Sequence, residues 1–307
     1  MVSEESQTLI KQPDDVDITS DWNYFLTHHD SEIHKIPHYF DLKQWTPNNV
    51  YRARVSHVFS PSHFWIVTLE RELDCFHMYL HNFYTKNKDH YRVPISHIKK
   101  GMYSVAYTEG SYYRGRITNV PHQMCNKTWA FVYLLDFGYM AKVGLDDIYF
   151  FTKKLYRVPQ FAIRATLAGI GPLNLINWSP EVVAHFCQLA NARKILMVQI
   201  RQIDSINKTL IVRLAEYNYD TLQVEDVINQ LVVDNMAKQL TMIDLKELKH
   251  LAKRRRAMGS RTKIKFRFLC PSFDDIEYAK FPDALVAIDY LRKMQDDSLF
   301  RDLTLKN

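Results

Sequence analysis

The chain has 307 residues, 47% of them hydrophobic, with a formal net charge of +6. That is enough apolar matter to bury a sizeable core and too much for a disordered chain. No run approaches the roughly 18 apolar residues that span a bilayer, and Met1–Glu5 lacks the basic-then-apolar layout of a signal peptide, so neither a membrane-spanning helix nor a secreted product is expected.

Residues 1–20 are polar and acidic and read as a mobile tail. Residues 21–49 carry Trp22, Tyr24, Phe25, Ile33, Ile36, Tyr39 and Phe40, which predicts a packed extension of short helices. Val50 to Leu69 alternates as two strands joined at Ser60-Pro61. Leu69, Leu73, Phe76, Leu80 and Phe83 then recur at helical spacing and predict a helix with one apolar face.

The next stretch is the most informative. A β-run ends at Tyr107, Glu109-Gly110 turns it into a second run over Tyr112–Val120, and a third run, Ala130–Leu135, closes on Asp136-Phe137-Gly138. Short aromatic runs between turn residues predict a small, strongly bent antiparallel barrel. Aromatic side chains sit at both bends, so their rings can gather at one end and attract a cation through their quadrupoles. The alternative is that half of these tyrosines simply fill the core, as strand alternation requires.

Beyond the barrel, Phe161–Ile170 reads as a strand, and Ser179 caps a helix whose first turn holds Pro180 and Glu181. Ile195–Ile203 and Thr209–Leu214 pair as a hairpin across Asp204–Lys208, and Val224–Met236 reads as an amphipathic helix. Leu245–Arg256 predicts another helix, Lys263–Leu269 an edge strand, and Phe281–Met294 a closing helix. The segment Asp244–Arg267 holds ten Lys/Arg against two acidic residues, so basicity belongs to one place rather than to the whole chain. Cys75, Cys125, Cys187 and Cys270 form no C-x-x-C pair and read as reduced thiols of an intracellular protein.

The order of Ala106-Tyr107, Gly110, Tyr112-Tyr113-Arg114-Gly115-Arg116-Ile117 and Asp136-Phe137-Gly138 resembles the core of a Tudor domain. Val55–Val67 is similar to the first strands of the extended Tudor domain, and Val158–Pro172 and Asn177–Glu181 to its second half. The resemblance covers roughly residues 50 to 235. It implies an α+β fold, mostly β: an SH3-like Tudor barrel inserted into an OB/staphylococcal-nuclease-like domain and bridged by a long helix. The domain would run from 50 to 240, with its barrel core at about 95–150 and a basic, helical addition over 241–307.

The resemblance also implies a non-catalytic adaptor that docks arginine-containing tails of Piwi-type Argonaute proteins. The setting would be cytoplasmic, perinuclear germline granules (nuage) where piRNAs silence transposons, with other Tudor scaffold proteins as further partners. Carried over singly, the peptide-binding positions are Tyr107, Tyr113, Leu134, Asp136, Phe137 and Tyr139, with Asp136 supporting its loop. Leu134 stands where the family has an aromatic ring, and Tyr139 where it has an amide, which leaves open whether the bound arginine is methylated. The other reading is a scaffold with a degenerate cage that binds RNA or another protein through its surface and its basic C-terminal segment.

In that segment Lys253, Arg254, Arg255 and Arg256 are candidates for gripping RNA phosphates or for a nuclear import signal. The plain alternative is a solvated helix end, where cations are favoured. His77 and His81 have the spacing of a zinc pair but no third ligand or H-E-x-x-H glutamate, so no metal is expected. Asp204, Arg201, Arg213 and Glu216 are the only carboxylates and arginines placed for hydrolysis on a nuclease-like scaffold, and they read as ordinary hairpin charges. No catalytic residue and no cofactor is expected.

Overall fold

Alternation and turn chemistry decide most of the elements found in the computed structural model. It describes residues 16–120, 128–175, 177–191, 194–218, 223–246 and 271–279. The chain divides into two units: one from the residues up to Gln44 and from Leu69–Ala162, the other from Trp45–Thr68 and from Ile163 onward. The first unit therefore interrupts the second in sequence. The strands on either side of the interruption are nevertheless hydrogen-bonded neighbours.

In the second unit, β1 (Val50–Ser60) and β2 (His63–Val67) form the hairpin expected there, turning at Pro61-Ser62. Ala53, Val55 and Val58 of β1 are buried, and Phe64–Val67 of β2 is buried throughout, as a strand covered on both faces must be. β10 (Leu196–Asp204) and β11 (Thr209–Asn218) pair across Asp204–Lys208, where the Asp204 carboxylate accepts from the N–H of Ile206 and Asn207. β10 also pairs with β1, and β11 runs parallel to β8 (Ile163–Leu167), which pairs with β2. The order β10-β1-β2-β8-β11 thus closes on itself through β10–β11, giving a five-stranded barrel. In this unit α4 (Pro180–Leu189) starts at a Ser179 side-chain cap and α5 (Val227–Val233) at Asp226.

Two sequence expectations need correction here. The strand over Phe161–Ile170 is broken: β8 ends at Leu167, Gly169 takes a φ of 72°, and β9 (Ile170–Gly171) pairs elsewhere, with β13 (Lys238–Gln239). The helix over Val224–Met236 begins only at Val227, because Gln223–Asp226 forms β12 on the edge of β11, with Val224 opposite Tyr217. Asp226 ends that strand and caps the helix by accepting from the Asn229 N–H. A further element had no sequence signal. α6 (Phe273–Glu277), held by a Ser272/Asp275 capping box, is fastened to the barrel by the Trp65 indole N–H and by Arg164, both donating to Glu277.

In the first unit, α1 (Ile18–His28) starts at the Asp17 cap, inside the stretch read as a tail, and α2 spans Tyr39–Leu42. α3 (Glu70–Tyr91) buries Leu73, Phe76, Leu80 and Phe83, the expected apolar face, and adds Tyr84 and Tyr91. The small barrel is a five-stranded antiparallel sheet in the order β6-β5-β4-β3-β7. Its strands are β3 (Tyr103–Thr108), β4 (Ser111–Asn119), β5 (Trp129–Leu134), β6 (Tyr139–Gly144) and β7 (Ile148–Tyr149). Among the described residues no helix is long and apolar enough to cross a membrane. The readings for Lys253–Arg256, Lys263–Leu269, Phe281–Met294, Cys125 and Cys270 lie outside the described residues; of the Leu245–Arg256 helix only the start is described, within helical residues 242–246.

Candidate functional site

Two tight bends build the site. Thr108 pairs with Ser111, so Glu109 and Gly110 alone make the β3–β4 turn, both with positive φ (51° and 79°). That is the backbone of a primed two-residue hairpin, which matches strand twist and which glycine enters at no steric cost. The β5–β6 bend runs from Leu135 to Gly138, with Leu134 opposite Tyr139 and Gly138 at a φ of 86°.

The bends bring three of the predicted rings together. Phe137 packs edge-on against Tyr113, with centroids 5.3 Å apart, and stands 6.5 Å from Tyr139 at 71°. All three are half-buried, so ring surface remains open. Two predicted positions differ from the expected set. Tyr107 lies opposite Tyr112 in the hairpin, which puts it on the other face from Tyr113, and its ring packs on Tyr112 at 4.8 Å. Leu134 shares a face with Tyr113 and Tyr139 through its pairs Gly115 and Tyr139, but it is 0% exposed. It is fully covered and offers no surface to a ligand.

Asp136 supports the bend from inside. Its carboxylate takes the Nε of Arg114 at 2.9 Å and the Nη2 at 2.7 Å, and Oδ1 also accepts from the Phe161 N–H at 3.2 Å. The remaining guanidinium donors go to the carbonyls of Leu155, Val158 and Pro159. Arg114 thus satisfies all five of its N–H groups, and its guanidinium lies 4.6 Å from the Phe76 ring of α3.

Two groups that sequence reasoning did not assign to the site sit at its edge. His77 of α3 packs on Tyr113 at 4.6 Å and on Phe137 at 5.6 Å. Burial pulls its pKa below the usual histidine value, so it stands as a neutral wall. Its Nε2 and the Nδ1 of His81 both lie within hydrogen-bond distance of the Ser111 hydroxyl, at 3.2 and 3.4 Å. The i, i+4 spacing thus brackets a serine here. The second group is Glu109, whose exposed carboxylate accepts from the Tyr139 hydroxyl at 3.3 Å. Burial, with the Glu109 charge second, pushes both the Tyr113 and Tyr139 phenols above their ordinary pKa. The site therefore has aromatic walls and one negative charge at the rim, an arrangement suited to a cation.

The hydrolysis candidates have ordinary partners within their own unit. Asp204 caps a turn, Arg213 pairs with Asp226, and Glu216 pairs with Lys194. Among the described residues no three His, Cys, Asp or Glu side chains cluster as a metal site.

The Tudor domain family profile matches residues 46–169. A curated relative, Tudor domain-containing 6 of Danio rerio, is 30% identical over 202 residues; these are 63% of this chain and 9% of that protein. The chain thus spans about a tenth of the length of that relative. Among solved structures, the extended Tudor domain TD3 of mouse TDRD1, in complex with a MILI peptide containing dimethylarginine, superposes with a TM-score of 0.55 at 16% identity, over 65% of this chain and 97% of that one. A variant of the Drosophila melanogaster Papi extended Tudor domain, in complex with a methylated Piwi N-terminal peptide, gives 0.54 at 16% identity, over 62% and 100%.

Proposed function

We propose that this chain, which matches the Tudor domain profile over residues 46–169 and shares the fold of extended Tudor domains, is a non-catalytic adaptor that docks an arginine side chain in the Tyr113–Phe137–Tyr139 cluster. The arginine would come from the tail of a Piwi-type Argonaute partner, in support of piRNA silencing in cytoplasmic germline granules. The observation that carries this reading is the half-open group of three rings gathered at two bends, the one bearing Phe137 held by a buried Arg114–Asp136 pair. The similar domains that hold dimethylarginine and Piwi peptides support it by analogy.

The physical basis is the match between a flat, weakly hydrated guanidinium and ring faces, at about 0.5–2 kcal/mol per contact. Phe137 touches both other site rings and His77, so its removal should cost most. Titrating arginine-methylated and unmethylated Arg-Gly/Arg-Ala peptides into the protein and into Phe137→Ala tests the reading. We expect the variant to lose roughly tenfold or more in affinity while keeping its melting temperature. Equal weak affinity for every peptide in both proteins would overturn the docking role. The net charge of Asp244–Arg267 favours a second reading, contact with RNA through that segment.

A further inference from the structure

We propose that Glu109 sets which arginine the cluster accepts, selecting a guanidinium with free N–H groups over a symmetrically dimethylated one. This rests on the arginine-docking reading above. Three observations carry it. Glu109 occupies the first position of the two-residue turn, and its positive φ fixes the side chain's origin at the tip of the β3–β4 hairpin. Its carboxylate is tethered beside the rings by the Tyr139 hydroxyl at 3.3 Å. Burial first and the Glu109 charge second raise the Tyr113 phenol's pKa, which accords with a carboxylate near both tyrosines. The phenol uses one of about four lone-pair sites on the carboxylate, leaving room for a second donor.

A guanidinium stacked on Phe137 would present its edge to that carboxylate. Unmethylated arginine can then make a two-pronged, charge-assisted contact. Methylation keeps the charge but blocks the bidentate fork. What methyl groups gain in return is apolar contact, which is limited here. Leu134 is fully covered, and Tyr107 faces away with Tyr112, so among the described residues three rings and one imidazole are the aromatic surfaces open to the added carbons. The lost charged hydrogen bonds outweigh that partial burial.

The test is calorimetric titration of two matched peptides, one with unmethylated and one with symmetrically dimethylated arginine, into the whole chain, Glu109→Gln and Phe137→Ala. Gln keeps the length and an acceptor oxygen but removes the charge. We expect the unmethylated peptide to bind the unaltered protein more tightly. Glu109→Gln should weaken that peptide by roughly three- to tenfold and change the dimethylated one by less than about twofold, collapsing the preference. If both peptides bind, Phe137→Ala abolishes binding, and Glu109→Gln leaves the ratio unaltered, the selectivity role falls and the docking reading stands. If Phe137→Ala has no effect on either peptide, both fall. Thermal melts of each variant guard against misfolding as the cause.

Discussion

Arg114 explains why the site holds its shape. A guanidinium with 0% side-chain exposure is tolerable only when every donor is met, and here two go to Asp136 and three to backbone carbonyls of the 155–159 segment. The pair thereby ties the bend bearing Phe137 to the chain leaving the barrel. Breaking it strands a buried carboxylate, which costs about 3–5 kcal/mol. Arg114→Met should therefore lower unfolding free energy by about that amount in urea titrations. Arg114→Lys should rescue little of it, since an ammonium cannot reproduce the fork. A loss under about 1 kcal/mol for Arg114→Met would show that the network adds little to stability.

Among the elements, the β1–β2 hairpin carries a pH response. His57 of β1 is half-buried against Trp65, with centroids 5.7 Å apart, and burial pulls its pKa down to about 4. The unfolded chain takes up a proton near the ordinary histidine pKa of about 6.5, whereas the folded chain does so only near 4. Stability is therefore complete above about pH 6.5 and is lost as pH falls toward 4, by about 1–3 kcal/mol once partial exposure is allowed for. Denaturant titrations at several pH values should reveal that slope, and His57→Gln should flatten it. A slope that survives in the variant would assign it to other groups.

For the whole molecule, the choice is between a docked peptide and a docked polyanion. Phosphate binding by the Asp244–Arg267 segment releases counterions, so affinity for RNA would fall by roughly 10³ or more between about 50 and 200 mM salt. An arginine among rings, with one rim carboxylate, should change by less than about fivefold over the same range. Peptide titrations with the full chain at both ionic strengths separate the two. A peptide affinity that falls by orders of magnitude would move the contact away from the ring cluster.

Whatever depends on neighbours along the chain could be read from residue order. The Glu109-Gly110 and Asp136-Phe137-Gly138 bends, the apolar face of α3, the Ser179 cap and the Asp204–Lys208 hairpin all follow from local steric and hydrogen-bonding preference. Tertiary structure alone decided matters that turn on pairing register and distant partners. Register sends Tyr107 to the face opposite Tyr113 and buries Leu134, although both sit at expected aromatic-cage positions. Distance in sequence hid Glu277, which meets Trp65 from 212 residues away, and hid His77, which reaches Tyr113 from another element. Local rules fix where a chain bends; which side chains then meet depends on how the strands slide past one another, and that is a property of the packed whole.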